Sequence, residues 1–364
     1  MKTNRRDWLK WGGGALGCAL VSGLPGITVG AGSTPGVPAR IKIGQIGVGH
    51  AHATKLGVYR ASPDYEVVGI VEPDAELRRA AESQAAFRGL PWMTEAELLA
   101  VPGLQAVLVE TRVRDLLPAA EACVRAGKHV HLDKPAGDSL PRYARLLKRA
   151  AEQRLLVQMG YMYRYNPGVV LLRQFLKDGW LGDVFEVHAV MSKVVEPAAR
   201  REFAEFSGGI LFELGGHIVD LVVGVLGKPE RVAPFPRRST DPGDGLMDNM
   251  LAVFEYPRAT ATVKCSAIEV EGWDRRHLVV CGTRGTFQIQ PLDNPSARIS
   301  LDQARGPYRK GSQEVTFAKY TRYVGDAADM AKILRGEKPN DFSYSHDLDV
   351  QDTLLRACGM SVRR

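Results

Sequence analysis

Ile41-Lys42-Ile43-Gly44-Gln45-Ile46 runs without a break into Gly47-Val48-Gly49-His50-Ala51-His52, and this stretch decides the fold. The short apolar run predicts a strand, and the glycines directly after it permit a tight turn. Such a turn lets the backbone approach a bound pyrophosphate closely. The helix that follows offers its N-terminal amides and dipole to the anion. His52 stands where a third glycine would complete the G-x-G-x-x-G pattern, so the turn by itself reads equally well as purely structural.

The residues downstream favour the nucleotide reading. Val67 to Val71 forms a second apolar strand ending at Glu72, 25 residues after Gly47. An acidic side chain there accepts both ribose hydroxyls and repels a 2′-phosphate, which favours NAD over NADP. Pro73-Asp74 follows, with no adjacent Arg or Ser to hold a phosphate, although Arg78 and Arg79 lie one turn further on. Ala106–Val109 reads as a strand, Leu117–Ala126 as a helix closing at Gly127, and His129–Leu132 as another strand. This alternation predicts a parallel, doubly wound α/β sheet. The last of these strands leads into Asp133-Lys134-Pro135. A lysine at the carboxyl end of a parallel strand points into the ligand crevice, or else is a surface residue of a βα loop.

At 364 residues the chain exceeds what one core usually organises, so two domains are expected. With 45% hydrophobic and 24% charged residues it is neither disordered nor fibrous. The five cysteines are scattered without C-x-x-C pairs, which excludes a disulfide scaffold or structural zinc framework. The net charge of +7 invites a nucleic-acid reading, but no basic stripe with interleaved aromatics supports one. Residues 1–31 carry +3 of it through Lys2, Arg5, Arg6 and Lys10 against Asp7. A basic start, a mildly apolar stretch to Val29 and small residues at Gly30-Ala31-Gly32 read as a targeting segment. Asn4-Arg5-Arg6-Asp7-Trp8-Leu9-Lys10 resembles a twin-arginine export signal. The expectation is delivery by the twin-arginine machinery to the periplasm, with cleavage near Ala31.

The later motifs are more specific. Gly160-Tyr161-Met162-Tyr163-Arg164-Tyr165-Asn166-Pro167, the turn Gly179-Trp180-Leu181-Gly182-Asp183-Val184, and the run from Gly208-Gly209 through Glu213 and His217 to Asp220 follow in order. With the Gly47–Glu72 signature and Asp133-Lys134-Pro135, they resemble the Gfo/Idh/MocA oxidoreductases over roughly residues 40 to 360. The resemblance implies a Rossmann domain followed by an α/β domain with a large open, mostly antiparallel sheet. It also implies a bound nicotinamide dinucleotide and a carbohydrate-like substrate. Lys134 would lie beside the nicotinamide and the reacting carbon, with Glu213 and His217 facing them. Departures from the family pattern are Asp133 for Glu, Glu213 for Asp, His52 for glycine, and a Thr111–Arg114 loop without the usual Pro-Asn.

Independently of the family, Glu213 and His217 sit at i and i+4 of one helix, with Asp220 three residues on. Withdrawing hydride from a carbinol carbon requires removal of the hydroxyl proton, which suits a histidine, and a cationic lysine stabilises the developing alkoxide. Metal ligation by Glu213, His217 and Asp220 lacks a further His or Cys at suitable spacing, so no metal is expected. Asp220 reads as a residue orienting the imidazole. The expected catalytic set is Lys134, His217 and Glu213. The expected cofactor set is Gly47, Gly49, His50, His52, Glu72 and Lys134. Tyr161, Tyr163 and Arg164 could bind substrate hydroxyls, Arg164 serving equally as an interdomain ion pair. The expected domains are 1–31 signal, 32–39 linker, 40–155 Rossmann and 156–364 substrate and oligomerisation, the second sheet offering a homo-oligomer face. The reading is an exported NAD-dependent oxidoreductase of a sugar, sugar derivative or polyol. Redox-neutral glycoside cleavage, with His217 or Tyr163 as base, and a non-catalytic NAD-binding sensor are the alternatives.

Overall fold

The alternating strands and helices read from residue 41 onward assemble into one parallel sheet in a computed structural model of the chain, which describes residues 39–362. The export signal and most of the expected linker lie outside the described residues. The strands are β1 (Ile41–Ile46), β2 (Tyr65–Val71), β3 (Trp92–Met93), β4 (Leu104–Val109), β5 (His129–Leu132) and β6 (Val157–Met159), in the order β3-β2-β1-β4-β5-β6. Every pair is parallel, and the crossovers carry α1 (Leu56–Ala61), α2 (Ala75–Glu82), α3 (Glu95–Leu99), α4 (Val113–Arg125) and α5 (Leu140–Glu152).

Local chemistry sets these helices. Asp74 caps α2 by accepting from the Glu76 and Leu77 amides, and Thr94 with Glu97 forms a capping box on α3. Helix α4 buries Leu116, Leu117, Ala120, Cys123 and Val124 against the sheet at helical spacing. The strand order reverses between β1 and β4, so the crevice at their carboxyl ends lies beside the Gly47 turn.

The second sheet has eight strands: β7 (Val184–Val190), β8 (Arg231–Arg237), β9 (Asn249–Tyr256), β10 (Ala259–Ser266), β11 (His277–Gly282), β12 (Gly285–Ile289), β13 (Ser296–Leu301) and β14 (Gly311–Thr316). Their order is β14-β13-β12-β11-β7-β10-β9-β8, antiparallel except for the pair β7 and β10. Gly282-Thr283-Arg284-Gly285 is the β11–β12 hairpin turn that its sequence suggests. The helices here are α6 (Pro167–Lys177), α7 (Pro197–Phe203), α8 (Gly209–Leu226), α9 (Val324–Leu334) and α10 (Tyr344–Ala357). Helix α8 is apolar enough to cross a membrane, but it lies buried between this sheet and α10.

The expected boundary at residue 155 is corrected. Strand β6 pairs with β5, so Val157–Met159 belongs to the first sheet. Helix α9 also returns to the first domain: Ala327, Met330 and Ala331 pack with Ile41, Tyr59 and Tyr65, and the Tyr65 hydroxyl donates to the Ala327 carbonyl at 2.6 Å. A strand follows its hydrogen-bond ladder and a helix its apolar face, and neither need respect a boundary in sequence.

Candidate active site

The carboxyl ends of β1, β4 and β5 deliver three clusters of chemistry to one crevice. The first is the Gly47 turn. Gly47 has φ +91°, and a Cβ there would stand 2.5 Å from Thr111 in the loop after β4, so only glycine fits. The Glu72 carboxylate closes the turn, accepting from the amides of Val48 at 2.9 Å and Asp74 at 3.0 Å. Among the described residues, the amides of Gly49 and Ala51 have no protein acceptor. Two unclaimed amides beside an acidic strand end fit a dinucleotide, the amides taking the pyrophosphate and Glu72 the ribose.

His50 and His52, both expected at the cofactor, turn toward Asp133. His50 Nε2 lies 3.0 Å from the Lys134 carbonyl, and its Nδ1 lies 3.2 Å from Asp133. His52 Nδ1 lies 3.2 Å from the same carboxylate, and its ring stands 5.5 Å from that of His217. The missing third glycine thus places an imidazole behind the site. Burial, outweighing the attraction of Asp133, lowers the His52 pKa to about 4.

Asp133 is the hub of this cluster. It takes the Lys55 ammonium at 2.7 Å, while Lys55 also lies 3.0 Å from Glu110 and from His131 Nε2. Burial and then Asp133 push the Glu110 carboxyl well above its usual range. Asp133, despite its own burial, is held well below by His50, Lys55 and His52. These surroundings favour the protonated form at Glu110 and the charged form at Asp133. Among the described residues, His50, His52 and Asp133 form the one group with metal-like spacing, but the Lys55 ammonium already satisfies that carboxylate. Lys55 and Glu110 carry no sequence signal of their own: nothing in a helix-borne lysine foretells burial beneath a neighbouring strand end.

The third cluster faces the turn from α8. Lys134, buried, donates to the Glu213 carbonyl at 2.8 Å and to its Oε1 at 2.9 Å, leaving the third ammonium proton uncommitted by these bonds. Burial alone would raise the Glu213 carboxyl, but the charge and hydrogen bond of Lys134 hold it below the ordinary value. His217, one turn along, is buried, and neither of its ring nitrogens has a partner among the described residues. Burial, reinforced by Lys134 and His52, pushes its pKa well below the usual 6.5, so the imidazole is neutral. Tyr161 and Tyr163 stack edge-on to it, with ring centroids 6.2 and 5.5 Å away. Tyr163 donates to Asp293, and burial followed by that carboxylate raises its pKa, which disfavours it as a base.

One expectation is corrected here, and one pair of alternatives is resolved. Asp220 does not orient His217: it accepts from Arg164 at 2.6 Å and meets His346 at 3.1 Å. Arg164 is buried between Asp220 and Asp347, both at 2.6 Å, which is the ion-pair alternative rather than the substrate-hydroxyl one. Successive turns of α8 send Asp220 to a different neighbour from His217, so Glu213, His217 and Asp220 do not converge on a metal. In the divergent loop after β4, Arg112 packs beside Gly49 and pairs with Asp74 at 3.5 Å, and Arg114 reaches Glu205 of the second domain at 2.9 Å.

A doubly wound sheet with a glycine turn at its switch point, faced by a second domain carrying titratable groups, defines a two-domain dinucleotide-binding oxidoreductase. The profile described as "Oxidoreductase family, NAD-binding Rossmann fold" matches residues 41–161, and that of the GFO/IDH/MocA C-terminal domain matches residues 169–288. The chain belongs to the Gfo/Idh/MocA oxidoreductase family, and its first domain is the NAD-binding one. It is 26% identical to trans-1,2-dihydrobenzene-1,2-diol dehydrogenase of Mus musculus, over 65% of this chain and 70% of that one. It is 27% identical to dTDP-3,4-didehydro-2,6-dideoxy-alpha-D-glucose 3-reductase of Streptomyces violaceoruber, over 76% and 84% of the two chains. The crystal structure of GenD2 from gentamicin A biosynthesis, in complex with NAD, shares the fold with a TM-score of 0.73 at 22% identity, covering 91% of this chain and 97% of that one.

Proposed function

We propose that this chain is an exported oxidoreductase that moves hydride between NAD and an oxygen-bearing carbon of a sugar, sugar derivative or polyol. The observation that carries this reading is His217: a neutral, buried imidazole without a partner among the described residues, next to a lysine–glutamate pair in the nucleotide crevice. Leaving such a group unpaired costs about 1–3 kcal/mol, which a substrate hydroxyl would recover. NAD, when bound, supplies the hydride acceptor. His217 takes the hydroxyl proton, Lys134 places its remaining N–H on the oxygen that becomes carbonyl, and Glu213 holds that ammonium in place. The sugar nucleotide and diol named for the two relatives support an oxygen-bearing carbon as the reacting centre. Glu72, an acidic side chain at the end of β2 that closes the glycine turn, supports NAD over NADP.

Residues 1–31 would deliver the folded holoprotein to the periplasm. A compartment without a plentiful free dinucleotide pool requires the cofactor to stay bound. Strand residues such as Phe185 and Phe235, exposed on the eight-stranded sheet, would serve self-association.

The purified protein should carry NAD through gel filtration, seen by absorbance after denaturation; empty protein that prefers NADP would overturn this. With free sugars and glycosides, net nicotinamide reduction marks a dehydrogenase. Aglycone release without reduction marks the redox-neutral cycle, and neither marks a sensor. His217→Asn should lower kcat roughly 10²–10⁴-fold with the cofactor still bound. Replacing Arg5 and Arg6 by Lys should leave the full-length chain in the cytoplasm.

A further inference from the structure

The second-domain side of the crevice holds a basic cluster that the proton chemistry does not use. Asp293, between β12 and β13, is shared by three donors: Tyr163 at 2.7 Å, Arg276 Nη1 at 2.9 Å, and Arg322. Since the Tyr163 ring lies 5.5 Å from that of His217, the cluster is one side chain removed from the imidazole. Arg276, just before β11, is 1% exposed. Its Nε donates to the Ser192 carbonyl at 3.2 Å, but its Nη2 is buried with no acceptor among the described residues. Trp273 covers the guanidinium face at 3.4 Å and is itself 43% exposed. Lys193, in the segment after β7, is half-buried, and its ammonium has neither an ion-pair partner nor a hydrogen-bond acceptor among the described residues.

The charges do not balance. Among the described residues, the ion pairs of Lys134, Lys193, Arg276 and Arg322 involve two acids only, Glu213 and Asp293, two carboxylates for four cations. Glu202 of α7 forms no ion pair with these four cations among the described residues. Glu269 is tied to Arg275. A buried guanidinium N–H without an acceptor and an unpaired ammonium are both costly in a shielded crevice. A neutral hydroxyl would satisfy the hydrogen bond but leave the charge. An anion satisfies both, and two donors of this kind suit the two oxygens of one carboxylate.

We infer that the substrate is an acidic sugar, a uronic or aldonic acid or its glycoside, whose carboxylate is taken by Arg276 and Lys193 while the reacting carbon lies between Lys134 and His217. This rests on the carbohydrate-oxidoreductase reading above. Calorimetric titration of the holoprotein with glucuronate and gluconate, against glucose, sorbitol and glucose 6-phosphate, tests it alongside turnover of each. The acids should bind at least tenfold more tightly than the neutral partners. Lys193→Gln should cut the acid-over-neutral ratio of kcat/KM about tenfold, equivalent to about 1.4 kcal/mol. Lys193 is partly exposed, so this variant keeps the test open if Arg276→Gln fails to fold. Equal binding of neutral sugars, a preference for the phosphate, or an unchanged ratio in Lys193→Gln overturns the inference and leaves the oxidoreductase reading intact. Acid binding without hydride transfer or aglycone release does the reverse.

Discussion

At the residue scale, the site is a set of groups whose burial fixes their protonation. His52, His131 and His217 are all neutral in the folded chain, with His52 lowered to about 4 and His131 to about 3 by burial above all. In the unfolded chain each titrates near 6.5, so below that pH the unfolded state binds more protons and stability falls. The His52 contribution alone is about 3 kcal/mol, present above pH 6.5 and lost as the pH drops to about 4. Melting temperature should therefore decline from pH 6.5 downward, and His52→Gln should flatten the decline; a flat profile from pH 7 to 5 would show the imidazoles to be charged. Arg164 belongs to the opposite class. Flanked by Asp220 and Asp347, it holds two buried carboxylates, and Arg164→Ala should cost about 3–5 kcal/mol in denaturant unfolding. Loss of substrate affinity at unchanged stability would instead restore it to the substrate site.

At the element scale, α8 places Glu213 and His217, and its start depends on one backbone conformation. Gly209 has φ +58°, and a Cβ there would stand 2.7 Å from the Met247 carbonyl and the Met250 sulfur. Gly209→Ala should cost about 1–3 kcal/mol and, by shifting the first turn, lower kcat without releasing the cofactor. Chemical denaturation and a cofactor-retention assay check the two halves of that statement. The i, i+4 spacing of Glu213 and His217 was legible because helical periodicity alone puts them on one face. The destination of Asp220 was not, because a residue one turn on can turn to whatever neighbour packs there, here Arg164 and His346.

At the scale of the whole molecule, one apolar core runs from Ile46 and Val107 in the first sheet through α8 to Val187 and Val280 in the second. Helix α9 adds a return crossing onto Tyr65, and Arg335 pairs with Asp64 at 2.7 Å. Two domains joined in this way should unfold as one unit. Calorimetry should give a single transition with equal van't Hoff and calorimetric enthalpies, and fluorescence and far-UV circular dichroism should coincide. Two resolved transitions would show the domains to be independent.

The sequence alone determined the Rossmann half, the glycine turn, the second sheet's hairpin and the shared helical face of Glu213 and His217. These follow from local periodicity and from glycine's freedom at positive φ, both properties of a few consecutive residues. Tertiary structure alone decided that Lys55 and Glu110 lie beneath Asp133, that Arg164 is a strut, and that Arg276, Arg322 and Asp293 meet beside Tyr163. Those partners lie tens to hundreds of residues apart. Which buried charge finds which counter-charge is fixed only when the strand ends and α8 close on one another.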